Sequence, residues 1–403
     1  MRIAAAGAFL LLFAGCRTLP VPKEPVPIAA VEALAPDAWP PLIDDLDAAS
    51  LDLAADRLAD YLRAQKDGLV DLGGMKIGRA RLLDTLEAFR KIRKLAAREE
   101  PLNRILKDEF ELYRVNRSST VSAHFSAYYA PTMPARATST PEYKYPLYAK
   151  PKDLIVADLG DFDPDLKGKT VYGRVDASGS FVPFFDRRAI DVRDALKDRG
   201  LEIAWLKSGF DRLNLHIQGS GILVYPDGKE KMARFAATNG APYASVGLAL
   251  AGSKAMRRDE INAESLRLYL EEHPEGEAWL LARNPRYTFF SLVDLPERGE
   301  PSGTTGRPLV AGRSIAIDPS VIPFGALAFA SLPLVQADEN GNLLGKTTTS
   351  RFLLCADAGG AIKGPGRVDL YLGHGPRAKG AAHNVWDEGE LYILLKKLPA
   401  RVR

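Results

Sequence analysis

Cysteine is nearly absent from this 403-residue chain, which has only Cys16 and Cys355. At most one internal disulfide is available, so the fold must rest on its apolar core. Histidine is scarce too. His124, His216, His273, His374 and His383 lie far apart with no His-x-x-x-His pair, so their spacing offers no zinc motif. No glycine-rich loop leads into a phosphate-binding Lys, and Gly219-Ser220-Gly221 is too short for a Gly-x-Ser-x-Gly elbow. No cofactor or metal is therefore expected. Charge of one sign is lacking as well: 54 Lys and Arg against 51 Asp and Glu leave a net +3. With no long basic run, nucleic acid is not an expected partner. Nor does any apolar run reach the roughly 20 residues that span a bilayer.

What is present begins with a secretion pattern. Met1-Arg2 is basic, Ile3 to Ala14 is apolar, and Gly15-Cys16 follows, as in a secretory signal peptide. Leu12-Phe13-Ala14-Gly15-Cys16 resembles the lipobox of bacterial lipoproteins, with Phe13 in place of the usual Leu. The resemblance makes Cys16 the lipidated first residue of a periplasmic protein. Arg17, rather than Asp, after it favours the outer membrane. Several acyl chains anchor stably without a transmembrane helix. The other reading is an ordinary signal peptide with an incidental Cys. An acylated Cys16 leaves Cys355 unpaired, and within Phe352-Leu353-Leu354-Cys355-Ala356 it reads as a small buried strand residue.

Hydrophobic residues make up 46% of the chain, enough for two or three domains. Residues 17–41 are Pro-rich and read as a tether. Ser50 is placed to cap a helix through Ala54, Leu58, Tyr61 and Leu62. Leu82, Leu86, Phe89 and Ile92 repeat at helical spacing, as do Leu102, Ile105, Leu106, Phe110 and Tyr113. Beyond Asn116, short alternating runs between Gly and Pro turns predict strands at 122–129, 170–174, 214–217 and 221–225. A helix over 263–281 interrupts them. Strands resume at 287–290, 314–317, 327–329 and 351–356, and the run 391–395 closes a compact β-barrel.

The chemistry resides in carboxylates. Asp318 and Asp357 each follow a strand, and Asp369 lies inside the alternating run Arg367-Val368-Asp369-Leu370-Tyr371. Asp is disfavoured in β structure. Burial would raise its pKa and prepare a general acid, opposed by a basic neighbour such as Arg367 or Lys363. Alternatively these residues cap turns through side-chain hydrogen bonds. From the residues alone the chain is a β-rich secreted protein with an acid site and no named substrate.

Several ordered blocks resemble the membrane-bound lytic murein transglycosylase A family with its C-terminal 3D domain. They are Tyr128-Tyr129-Ala130-Pro131 with Tyr145-Pro146-Leu147-Tyr148; His216-Ile217-Gln218-Gly219-Ser220-Gly221 with Pro226-Asp227-Gly228; Asn239-Gly240, Pro242-Tyr243 and Ser245-Val246-Gly247; Asn284 to Phe290; Pro308 to Ser314 leading to Asp318 and Ile322-Pro323-Phe324-Gly325; and Asp357 to Gly364 with Asp369 beyond. The resemblance implies a mainly β fold with N-terminal helices: a double-psi β-barrel into which a second, barrel-like β domain is inserted, with glycan in the groove between them. The implied division is a signal peptide at 1–16, the tether at 17–41, a helical part of the barrel domain at 42–121, the insert at 122–283 and the barrel at 284–403.

By the same resemblance Asp369 is the single catalytic acid, supported by Asp357 and Asp318. It would cleave the MurNAc–GlcNAc bond of peptidoglycan and close a 1,6-anhydro ring. Gln218, Gly219 and Ser220 would meet sugar hydroxyl or N-acetyl groups, Tyr128 would stack on a ring, and Arg313 would orient a carboxylate. Gly359 and Gly360, beside Asp357, would also line the substrate site. Ala130 stands where the family has Glu, and Ala358 where it has Thr. Two other readings remain on the same fold: a non-catalytic peptidoglycan-binding lipoprotein, and a glycoside hydrolase with a second working carboxylate.

Overall fold

The computed structural model describes residues 29–96, 99–166, 168–295 and 300–398; Cys16 and its lipobox lie outside them. Six strands among these residues close into a barrel. Ala123–Ala130 pairs with Arg367–His374, followed in order by Ser314–Ala316, Leu343–Asp357, Leu327–Ala337 and Trp386–Lys396, which returns to Ala123–Ala130. Alternation explains the closure. Phe125, Val368, Leu370, Ile315, Leu353, Cys355, Leu391 and Ile393 are fully buried and fill the core, whose burial is the main driving force of such a fold. Cys355 is a free, buried strand thiol, as expected, and burial pushes its pKa up.

The N-terminal helices pack outside this barrel. Ala48–Ala64 turns Leu51, Ala55, Leu58 and Leu62 inward, and Arg79–Leu95 does the same with Leu82, Leu86 and Phe89. The first helix is capped by Asp47, whose carboxylate accepts from Ser50 N, rather than by Ser50. Two other expectations change here. The third helix, Glu99–Glu109, ends before Phe110; Phe110–Val115 is a strand that pairs with Trp386–Lys396. Residues 31–39, expected in the tether, are folded. Val31–Leu34 adds a strand to Phe110–Val115, and Trp39 is buried.

The second body is a six-stranded sheet in the order Thr288–Asp294, Glu230–Thr238, Ser220–Val224, Thr132–Arg136, Glu202–Leu206 and Tyr145–Tyr148. A bridge from Ala149 to Phe290 links its two edges, so it curls toward a barrel. Pairing moves the expected borders by one strand at each end: Ala123–Ala130 belongs to the closed barrel, and Thr288–Asp294 to the second sheet. The expected helix over 263–281 is two pieces, Ala263–Glu272 and Glu277–Leu281, interrupted at Pro274.

Candidate active site

The register of five barrel strands assembles the acids and their neighbours. Asp357 lies opposite Ala316, Ala316 opposite Asp369, Asp369 opposite Ser126, and Ser126 opposite Trp386. Because side chains alternate along a strand, Val368, Leu370 and Phe125 enter the core. Arg367, Asp369 and Tyr371 therefore share the other face with His124, Ser126 and Tyr128. Asp369 and Ser126 meet only because the barrel closes through a parallel pairing of distant segments.

Asp369 is partly accessible, yet its pKa is pushed up to about 6. Burial of the carboxyl is the main cause, and the Asp357 charge adds to it. The Ser126 hydrogen bond and Arg367 act in the opposite sense. Ser126 Oγ donates to Asp369 Oδ1 at 2.6 Å, and Arg367 Nη2 donates to Ser126 Oγ at 2.8 Å. Arg367 thus opposes the shift as the sequence suggested. Lys363 acts instead on Asp318.

Asp357 is held quite differently. Oδ2 accepts from Tyr128 OH at 2.7 Å, while Oδ1 accepts from Thr304 N at 2.8 Å, Thr304 Oγ1 at 2.7 Å and Ala358 N at 2.9 Å. Both oxygens are engaged as acceptors. Thr304 supplies a hydroxyl beside Asp357 although Ala358 has none. Asp318 sits further off: it accepts from Ser320 N, Ser320 Oγ and Gly364 N. Burial alone would raise its pKa, but these hydrogen bonds hold it below the usual carboxylate range. Its visible work is to pin the loop that leads back to Asp369.

A cleft next to Asp357 is lined by Tyr128, Gln218, Ser220, Pro301 and Tyr371. Tyr371 packs against Tyr128 with ring centroids 5.3 Å apart, and its buried hydroxyl has no partner among the described residues. The opposite wall comes from the insert. Residues 214–217 are helix rather than the expected strand: Gly209–Gln218 is capped by Ser208 and ends at Gly219. Gly219, at φ 79°, terminates the helix, and the space a Cβ would take there is open. Close approach falls to Gly221, where a Cβ would lie 2.8 Å from Pro131 O. Gln218 Oε1 accepts from Tyr129 N at 3.2 Å, which ties this helix to the barrel strand.

Buried charge fixes the same helix from behind. Arg212 pairs with Asp191 at 2.8 Å, and Arg187 Nη2 donates to His216 Nδ1 at 2.9 Å. Burial, with these two cations, drives the His216 pKa far down, so the ring is a neutral acceptor. Beside the small cleft a larger one of about 710 Å³ opens between Asp211, Asn214 and Arg267 of the insert and Pro376, Lys379 and His383 of the barrel.

Arg313 does not belong to this site. It is 0% exposed, and its guanidinium donates to Asp44 Oδ1, Ser50 Oγ, Asp47 O and Phe352 O. With every nitrogen engaged there and the side chain fully buried, it fastens the N-terminal segment to the barrel and lies out of a substrate's reach. Gly359 and Gly360 follow Asp357 in a loop. A Cβ on Gly360 would lie 2.9 Å from an Arg286 nitrogen, so this glycine lets the insert's Arg286 pack on the barrel loop. Ala130 is buried, pairs with His374 and gives the cleft a short apolar wall. Sequence reasoning missed Ser126, Thr304 and Tyr371. Only Tyr371 carried a local signal, its place two residues after Asp369 in an alternating run.

Two family models match in sequence order: the MltA specific insert domain over residues 124–291 and the 3D domain over 313–395. The membrane-bound lytic murein transglycosylase A of Escherichia coli K12 is 30% identical over 276 residues, 68% of this chain and 66% of that protein. The aligned region thus spans just under two thirds of that relative. Among solved structures, the membrane-bound lytic murein transglycosylase from Agrobacterium tumefaciens superposes with a TM-score of 0.74 at 29% identity, covering 91% of this chain and 98% of that one. The E. coli MltA structure with bound chitohexaose has the same fold, with a TM-score of 0.68 at 21% identity over 92% and 95% of the two chains. Barrel and insert find their counterparts in the same proteins, and the chain belongs to the membrane-bound lytic murein transglycosylase A family with its 3D domain.

Proposed function

We propose that the chain is a lytic transglycosylase that cleaves the β-1,4 bond between MurNAc and GlcNAc in peptidoglycan, with Asp369 as its only acid and base. The observation that carries this is the contrast between the two neighbouring aspartates. Asp369 has a pKa of about 6 and reaches solvent, whereas both oxygens of Asp357 are occupied by donors. Asp369 as an acid gives its proton to the glycosidic oxygen while the bond from that oxygen to C1 of MurNAc breaks. The resulting carboxylate then accepts the proton of the muramoyl C6 hydroxyl, whose oxygen closes on C1 to give the 1,6-anhydro ring. A tethered hydroxyl has a large effective-molarity advantage over water, so no second free carboxylate is required.

Asp357 and Tyr128 hold the strand ends beside the acid, while Gln218 and Ser220 offer hydrogen bonds to hydroxyl and acetamido groups. The barrel is read as the double-psi type, and the protein as lipid-anchored through Cys16 in the periplasm, most readily at the outer membrane. The test is digestion of purified sacculi followed by mass analysis of the muropeptides. Anhydro ends support the lyase, reducing ends a hydrolase, and no release a binding protein. Asp369→Asn should abolish anhydro product.

A further inference from the structure

Among the described residues, most of the large exposed aromatics, including Phe162, Phe181, Phe235, Tyr243 and Trp279, lie in the insert. Trp386 is different. It is 68% exposed, lies on the barrel, and stands directly across from Ser126, which bonds the acid. Adjacent strands are spaced about 4.8 Å apart, so two strand steps separate Trp386 from Asp369 by about 10 Å. The indole is held in place. The Arg367 guanidinium lies over it at 5.0 Å from the centroid, and His124 meets it edge-on at 4.3 Å. Arg367 and His124 are themselves opposite one another, two residues before Asp369 and Ser126 on their strands. The indole therefore leans toward that end of the face. Tyr128 and Tyr371, two residues after the same pair, lie at the other end with the Gln218–Ser220 wall.

The acid thus stands between two differently built surfaces, a polar cleft made with the insert and an exposed aromatic face made by the barrel alone. From this geometry we infer that Trp386 is a sugar-stacking platform for the glycan ring flanking the scissile bond on the side away from Gln218 and Ser220. The inference rests on the proposed lyase reading for the position of the scissile bond. The axial C–H face of a β-linked pyranose is the complementary surface to an indole, which combines a large apolar area with little conformational freedom. An exposed tryptophan clamped from one face and one edge has already lost its rotamer freedom, so little ordering remains to oppose binding. Arg367 serves both parts: it stacks on the platform and bonds the Ser126 that bonds the acid.

The experiment uses the full chain in detergent and chitohexaose as the probe. Calorimetric titration of Trp386→Ala should show affinity weakened about tenfold, the size expected for one lost stacking contact, while Trp386→Phe keeps most of it. Chitohexaose should change the intrinsic fluorescence of the wild type and of Trp279→Phe, but not that of Trp386→Phe. KM on sacculi should rise in Trp386→Ala without movement of the alkaline limb of the pH profile. Unchanged chitohexaose affinity in Trp386→Ala overturns the inference. So does weakened binding that appears only with a displaced pH limb, because Trp386 would then act through Arg367 on Asp369. Release of anhydro-muropeptides by the wild type tests the lyase reading separately: its absence, with chitohexaose binding still dependent on Trp386, sinks the lyase and leaves the platform standing.

Discussion

Raising the pH through the titration of Asp369 is the perturbation that separates an acid from a structural aspartate. With its pKa at about 6, the protonated fraction is about one half at pH 6, one tenth at pH 7 and one hundredth at pH 8. If proton donation to the glycosidic oxygen is required, kcat/KM on soluble peptidoglycan should fall about fivefold from pH 6 to 7 and about tenfold per pH unit beyond. The position of this limb can then be moved from the structure. Ser126 and Arg367 both favour the charged carboxylate, so Ser126→Ala and Arg367→Gln should push the limb to higher pH. One hydrogen bond to a charged group corresponds to about one pH unit. Asp357 favours the neutral acid, so Asp357→Asn should pull the limb to lower pH. The assay is the initial rate of anhydro-muropeptide release in constant-ionic-strength buffers from pH 4.5 to 8.5. A flat profile across that range, or a limb that moves down in Ser126→Ala, would refute the assignment of Asp369 as the acid.

The same carboxyl predicts a stability effect of defined sign. Its folded pKa lies above the ordinary 3.8, so its contribution is fully present below about pH 4 and is lost as pH rises through about 6. In urea denaturation Asp369→Asn should therefore gain on the wild type by about 2 kcal/mol between pH 4 and 7, allowing for the solvent that reaches the group; a constant difference would contradict a buried acid. Arg313→Met removes the guanidinium that pairs with Asp44 and bonds three other oxygens. It should destabilise the fold by about 3 kcal/mol and expose residues 42–50 to limited proteolysis, and protection equal to the wild type would show that other contacts hold this segment. Cys16→Ala should move the protein from the membrane fraction to the soluble periplasm, and retention in membranes would exclude the lipid as anchor.

Much of this was legible because it depends on short-range regularities. The alternation of Arg367, Asp369 and Tyr371 with Val368 and Leu370 is a property of any strand, and it put the acid on the face away from the core. The burial of Cys355 and the helices carrying Leu58 and Phe89 followed in the same way. The misreadings came where two regularities compete. Asn214 to Ile217 alternates like a strand, but Ser208 and Gly219 are the caps of a helix, and capping decided the matter. Phe110 and Tyr113 continue the helical spacing from Leu102, yet they join the sheet, because Phe110–Val115 pairs along the edge of Trp386–Lys396.

By itself the sequence determined the candidate aspartates, the order of the matched blocks and the family, since these rest on residue types and on spacing along the chain. Tertiary structure alone decided which groups meet. Ser126 bonds Asp369 across 243 positions and Tyr128 bonds Asp357 across 229, and both contacts exist because the first barrel strand closes against the last ones. Packing of the N-terminal segment took Arg313 out of the site, by burying it under Asp44, and the closure put Trp386 two strands from the acid. Spacing along the chain encodes which face a side chain takes; it does not encode which distant strand lies next to it.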